Sequence, residues 1–104
     1  MSGIQATLDE RGKRYGAFDR HAKITQALKA LMMQTTEFYP HASNAAEIRI
    51  QSGWALLSES QKEALEMIAH KIGRILNGDP NYMDSWVDIA GYAQLVANQL
   101  EVAE

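Results

Sequence analysis

Acidic and basic side chains share one face of the segment that follows Ser58, and their chemistry suits a metal ion bound beside phosphate groups. At about 100° per residue, one polar ridge of a helix contains Glu63, Glu66, His70, Arg74 and Asn77. Glu63 and Glu66 stand on adjacent turns, where two carboxylates can share a divalent cation such as Mg²⁺ or Mn²⁺. A solvated helix face, stabilised by pairs of Glu66 with His70 and of His70 with Arg74, explains the same pattern, so both interpretations stay open.

A second acidic pair follows Pro80. Asp84 and Asp88 are one helical turn apart, so four carboxylates on two neighbouring helices can converge on a shared cation. Each also has a simpler interpretation. Asp84 in a first helical turn is favoured by the helix dipole, and Asp88 can form an ion pair with Lys71 or Arg74 across the hairpin.

Cations and aromatic rings that suit a nucleotide occur in both halves of the chain. Two glycines bracket Lys13, Arg14 and Tyr15, which predicts a tight turn that displays these three side chains. The cations that can neutralise phosphates are Lys13, Arg14, Lys71 and Arg74. Tyr15 or Trp86 can stack on a base, although the glycine spacing matches neither a Walker nor a Rossmann fingerprint.

Start and stop signals define the helix that carries the acidic ridge. Two overlapping capping signals, Ser58 with Gln61 and Ser60 with Glu63, mark its beginning. Gly78, two residues before Pro80, is well placed as a left-handed residue that ends it. These signals predict a helix over about 60–77.

Apolar residues spaced by three and four predict two amphipathic helices on either side of the turn 77–81. The first stripe comprises Leu65, Ile68, Ala69, Ile72, Ile75 and Leu76, and the second Tyr82, Trp86, Ile89, Ala93, Val96 and Leu100. Because the connection is short, the two helices are expected to be antiparallel neighbours, an αα-hairpin over 58–103. Gly73 and Gly91 allow either a close helix approach or room for a ligand.

Three segments precede the hairpin: helices at about 3–13 and 18–34, and an irregular insertion at about 35–57. Within the insertion, 45–51 suits a short helix, and 48–50 alternatively suits a brief strand. Trp54, Leu56 and Leu57 are expected to lay the insertion back onto the hairpin. The sequence therefore predicts a single all-α domain over 1–104, a small helical bundle with a long C-terminal αα-hairpin.

Composition and charge limit the classes of function. The 104 residues suffice for one domain without a disulfide or structural metal, and the chain has no Cys. The net charge of -3 argues against bulk nucleic acid or an anionic membrane as partner. The absence of Cys, of a long apolar run and of a signal-peptide pattern predicts a cytoplasmic protein. The three histidines do not have zinc-site spacing.

The two parts of the chain differ in charge. Residues 1–33 carry six basic and three acidic side chains, whereas the remainder carries four basic and ten acidic ones. This polarity either helps the two parts to dock or places phosphate-binding cations opposite metal-binding carboxylates.

Three stretches carry a resemblance to known proteins: ERGKRYG at 10–16, MIAHKIGRI at 67–75 and DSWVDIAGY at 84–92. Together they resemble a group of small proteins found in bacteriophages and prophages. More distantly, their order resembles phage nucleotide-modification-associated domains and the MazG-like all-α nucleoside triphosphate pyrophosphohydrolases.

The resemblance implies Mg²⁺-dependent cleavage of a nucleoside triphosphate between the α and β phosphates, in the cytoplasm of a bacterial host. Glu63 and Glu66 stand where the family has its Glu-x-x-Glu pair, and Asp84 and Asp88 where it has its Glu-x-x-Asp pair. All four are the expected Mg²⁺ ligands, with Glu66 and Asp88 in the catalytic role. The resemblance and the surrounding residues further imply nucleotide binding by Lys13, Arg14, Tyr15, His70, Lys71, Arg74 and Trp86.

Two other functions stay open. The second acidic pair is spaced by four instead of three, which favours a non-catalytic phage accessory or anti-defence protein that binds a host protein or sequesters a nucleotide. Residual apolar surface that includes Met33, Tyr39 and Trp54 favours a homodimer or a higher homo-oligomer, which is compatible with either function.

Overall fold

The computed structural model describes residues 2–33 and 52–103 and shows an all-α protein. Four helices form a small bundle: α1 (Ser2–Tyr15), α2 (Phe18–Met32), α3 (Glu59–Asn77) and α4 (Met83–Ala103). A short 3₁₀ turn at Trp54–Leu56 precedes α3. The described residues contain no strand, and the helix predicted at 45–51 and the strand weighed at 48–50 lie outside them.

The C-terminal αα-hairpin is confirmed, since α3 makes its most extensive packing with α4. Its start is fixed by a complete capping box: the Ser58 hydroxyl accepts from the Gln61 amide (3.1 Å), and the Gln61 side chain accepts from the Ser58 amide (2.9 Å). Ser60 already lies within the first turn of α3, because the helix begins at Glu59.

The predicted left-handed conformation of Gly78 is wrong, because its φ is -133° and its ψ -135°. Glycine is required there for space, since a Cβ would collide with the backbone of Arg14 and Tyr15. The left-handed residue is instead Gly16, with a φ of 78°. The turn predicted around Lys13, Arg14 and Tyr15 is therefore shorter than expected: α1 continues to Tyr15, and only Gly16 and Ala17 separate it from α2.

The two tight turns of the molecule dock against each other. The Asn77 side-chain amide donates to the carbonyls of Tyr15 and Ala17, each at 2.8 Å. The Asp79 amide donates to the Arg14 carbonyl at 2.6 Å. These bonds satisfy carbonyls at the end of α1 that a helix leaves without partners, and they fix the first helical pair onto the second.

Helix α2 packs on α3 through small residues. A Cβ on Gly73 would collide with the Thr25 methyl group and touch the His21 ring, so only glycine permits this distance between the helices. His21 and Thr25 are buried at the contact. The close approach predicted for Gly73 is thus correct, but it is made with α2; the Cβ of Gly91 would meet no described atom.

The apolar core of the described residues is very small. Its buried members are Ala64 and Ala69, and many of the large apolar side chains are exposed to solvent. Leu57 lies in a groove beside Leu65 and Val96, whereas Leu56 is 89% exposed, so the expectation that Leu56 packs on the hairpin is wrong. The exposed apolar side chains of α4 are Met83, Trp86, Val87, Leu95, Leu100 and Val102.

Candidate functional site

A cleft of about 550 Å³ lies where α1, α2 and α3 meet. Its polar lining consists of Arg11, His21, His70 and Arg74, and its apolar and aromatic lining of Leu8, Tyr15 and Phe18. The backbone of Gly16 and Ala17 closes one side. The C-terminal half of α1, the start of α2 and the polar ridge of α3 therefore build the cleft together.

Two histidines form the base of this cleft. His21 Nε2 lies 3.3 Å from His70 Nδ1, and the ring planes cross at 82°. One nitrogen of this pair donates and the other accepts, according to the tautomer. His21 is only 5% exposed, and its Nδ1 has no hydrogen-bond partner among the described residues.

Both histidines are neutral at physiological pH. Burial lowers the pKa of His70 to about 4, and the positive charges of Arg74, Lys71 and Lys29 act in the same direction. Burial also lowers the pKa of His21; the neighbouring Gly73 backbone opposes this shift, while Arg74 and Lys29 add to it. The fixed positive charge of the cleft is therefore carried by guanidinium groups, beside imidazoles that are able to accept protons.

Tyr15 and Arg74 support each other in one wall. The Arg74 guanidinium carbon lies 4.1 Å from the centroid of the Tyr15 ring, a cation–π contact. Asn77 holds the Tyr15 carbonyl, so both the backbone and the ring of this residue are restrained.

Phe18 presents an accessible aromatic ring at the rim. The ring is stacked on His21, with 6.2 Å between centroids and 29° between planes, yet Phe18 is 79% exposed. Such a ring can receive a planar group from solvent. The N-terminus of α2 lies at the same edge, and its N-cap residue Ala17 makes no side-chain capping bond.

A second group of polar contacts lies at the docked turns. Arg14 contacts the Tyr82 hydroxyl (3.0 Å) and forms an ion pair with Glu10 (2.8 Å). Tyr82 in turn donates to Asp84 (3.0 Å), a bond that raises the pKa of the Tyr82 hydroxyl. Arg14 and Asp84, predicted for phosphate and metal, therefore both take part in structural contacts with Tyr82.

The four predicted metal ligands do not form one site within a single chain. Asp88 forms an ion pair with Lys71 at 3.0 Å, which was the predicted alternative to metal binding. Glu66 lies 4.0 Å from Lys29. Glu63 borders a groove with residues 92–99 of α4, about one to three turns beyond Asp88. No group of three or more His, Asp or Glu side chains in the described residues is close enough to hold a metal ion.

The antiparallel register explains this separation. Lys71 pairs with Asp88, so a residue eight positions earlier on α3 lies beside a residue about eight positions later on α4. Glu63 and Glu66 are therefore displaced from Asp84 and Asp88 along the hairpin axis by very roughly 8 to 18 Å, at about 1.5 Å per residue.

The seven predicted nucleotide contacts separate into two sets. Tyr15, His70 and Arg74 line the cleft. The other four do not: Lys13 is exposed, Arg14 and Lys71 are ion-paired, and the Trp86 indole donates to the Pro80 carbonyl at 2.8 Å.

Three polar or aromatic side chains of the cleft were not predicted from the sequence: Arg11, Phe18 and His21. The available signal was the small-residue pair Ala69 and Gly73 beside His70 on α3, which permits another helix to approach the polar ridge.

The fold and the cleft define a small all-α protein in which α1, α2 and α3 form a basic, aromatic and histidine-lined site. Residues 4–100 match the family described as "Domain of unknown function (DUF6378)", and the chain belongs to this family. Neither a curated protein nor a solved structure shows significant similarity to it. Among the described helices, none combines the length and apolar character needed to cross a membrane.

Proposed function

We propose that the protein binds a nucleotide, such as a nucleoside triphosphate, in the cleft between α1, α2 and α3. The observation that carries this proposal is the convergence of Arg11, Arg74 and the neutral histidine pair on one cavity with an exposed aromatic ring at its edge. Guanidinium groups match phosphate oxygens in geometry and charge.

Size and backbone geometry support the same ligand class. Pockets for small molecules and cofactors commonly enclose about 300–1,000 Å³, which includes the 550 Å³ found here. The uncapped N-terminus of α2 at the cleft edge adds backbone amides and a positive dipole end, which favour an anion. Phe18 supplies a stacking surface for the base.

Isothermal titration with nucleoside triphosphates tests the proposal. Arg74→Gln removes one guanidinium from the cleft and is expected to weaken binding by roughly 10- to 100-fold, the effect of one charge-assisted hydrogen bond. Lys23→Gln removes the same charge from an exposed position on α2 outside the cleft lining and serves as the matched control. Equal affinities of the two variants would contradict the cleft as the binding site.

Binding is better supported by the geometry than hydrolysis. Mg²⁺-dependent pyrophosphate release, which the MazG resemblance implies, needs carboxylates gathered around the metal, and within one chain they stand apart. Pyrophosphate release from nucleoside triphosphates with Mg²⁺ can be measured with the wild type and with Glu66→Gln and Asp88→Asn. Release by the wild type that both substitutions abolish would establish the enzyme; binding without release would establish a nucleotide-sequestering protein.

The outer face of α4 supports a homodimer. Met83, Val87, Gly91, Leu95 and Val102 form one exposed stripe, separate from the face that packs on α3. A helix with apolar residues on both faces is usually buried on both. The occupant we propose is a second copy of the chain; in a monomer, the same stripe would instead favour a host protein as partner.

Light scattering after size exclusion tests the dimer. We expect twice the 11.6 kDa mass of the chain, and a return to the single mass for Leu95→Glu. Gln26→Glu adds the same charge at an exposed position on α2, away from α4, and should leave the dimer intact. A wild-type monomer across the micromolar range would refute self-association.

A further inference from the structure

In the neutral state, the histidine pair cannot carry a proton on both the buried Nδ1 of His21 and the Nε2 of His70 and keep the hydrogen bond between the two rings, and a bound anion can change this. Two neutral imidazoles carry two protons on four nitrogens, and the buried Nδ1 of His21 lacks a hydrogen-bond partner among the described residues. One additional proton allows His21 Nδ1–H to point toward the adjacent Gly73 backbone while His21 Nε2–H donates to His70 Nδ1. His70 Nε2 then carries a proton as well, and His70 lines the cleft.

We propose that the cleft binds a dianionic terminal phosphate, that His70 donates a hydrogen bond to it, and that the His21–His70 pair takes up one proton on binding. His70 is the binding residue, and His21 is a positioning residue that acts through it. This inference rests on the proposed nucleotide binding and adds to it the class of phosphate and two residue roles.

The charges around the pair explain why the ligand must supply the driving force. Lys29 on α2 and Lys71 and Arg74 on α3 disfavour a positive charge on His70, and Arg11 of α1 lines the same cleft. The nearby acids are already engaged, Glu66 with Lys29 and Asp88 of α4 with Lys71. A phosphate dianion inside the cleft brings two negative charges that favour the protonated histidine pair, whereas a monoanionic phosphodiester brings one.

Proton uptake can be counted directly. The binding enthalpy of adenosine monophosphate is measured at pH 6 in buffers of different ionisation enthalpy, for the wild type and for His70→Gln. Any change in the ligand's own protonation is common to both proteins, so the difference isolates the histidine pair. We expect the wild type to take up close to one proton more per bound adenosine monophosphate than the variant does. The wild type should also bind cyclic adenosine monophosphate at least about 10-fold more weakly than adenosine monophosphate.

A measurement on the wild type guards against a variant that fails to fold. The ring resonances of His21 and His70 are followed by NMR between pH 4 and 8, with and without adenosine monophosphate, and the ligand should shift their titration to higher pH. Binding with equal proton uptake by both proteins, or with unchanged histidine titration, would overturn this inference while nucleotide binding stands. No binding of any nucleotide would overturn the proposed function itself.

Discussion

The Asn77 side chain connects the α1–α2 pair to the α3–α4 pair, and its removal should show how much this contact contributes to the free energy of unfolding. The Asn77→Ala variant loses two hydrogen bonds of 2.8 Å, to the carbonyls of Tyr15 and Ala17. A neutral amide–carbonyl bond contributes about 0.5–1.5 kcal/mol net. The Tyr15 bond is partly buried and the Ala17 bond is exposed, so water can replace one partner more readily than the other. We therefore expect a loss of about 2 kcal/mol in the free energy of unfolding.

Equilibrium urea unfolding at fixed protein concentration, followed by circular dichroism, measures this loss. For a domain of this size, with an m-value of about 1–1.5 kcal/mol/M, the midpoint should fall by about 1.5 M. Asn98→Ala is the control, since it removes an asparagine whose bond, from Gln94, lies on the exposed surface of α4. It should change stability by less than about 0.5 kcal/mol. Equal effects of the two substitutions would refute the role of the docked turns.

Two further predictions concern the α2–α3 contact. Gly73→Ala places a methyl group against Thr25 and the His21 ring and should lower the free energy of unfolding by about 1–3 kcal/mol. Gly3→Ala, in open space on α1, should be neutral or stabilising, and thermal melts compare the two. Stability should also fall as the pH drops from about 6.5 toward 4, because the unfolded histidines gain protons before the folded ones, whose pKa values are lowered. Urea midpoints at pH 7 and pH 5 measure this fall, and it should be smaller in His70→Gln; an equal fall in both proteins would contradict the burial of the pair.

The local signals of the hairpin were sufficient to predict it. The Ser58 and Gln61 capping box and the two apolar stripes act within one or two helical turns, and the short connection leaves little choice of topology. The same holds for the Asp88 and Lys71 ion pair, which follows once the helices are antiparallel. The conformation of Gly78 was predicted wrongly because glycine is needed there to leave space for the backbone of Arg14 and Tyr15, which are more than sixty residues away in sequence.

The cleft could not be predicted because the apolar periodicity of α3 does not reveal which element packs on its polar face. His70, Arg74 and Asn77 lie opposite the apolar stripe of α3, where solvent or a metal site was expected. Gly73 within that face lets α2 approach, and His21 then reaches His70 while Asn77 receives the α1–α2 turn. The polar ridge is therefore an internal surface along its C-terminal half.

The packing of the N-terminal helices over part of the polar ridge of α3 also accounts for the charge asymmetry of the chain. The basic N-terminal segment packs along the middle and the C-terminal half of α3, where Lys29 lies beside Glu66 and Arg11 lines the same cleft as the histidine pair. More cations than acids collect there, and the surplus guanidinium charge faces an open cleft instead of a carboxylate. A charge imbalance held at the mouth of a cavity is costly for folding alone, because like charges repel across it. An anionic ligand would relieve it, so the same excess of positive charge that disfavours protonated histidines favours the binding of phosphate.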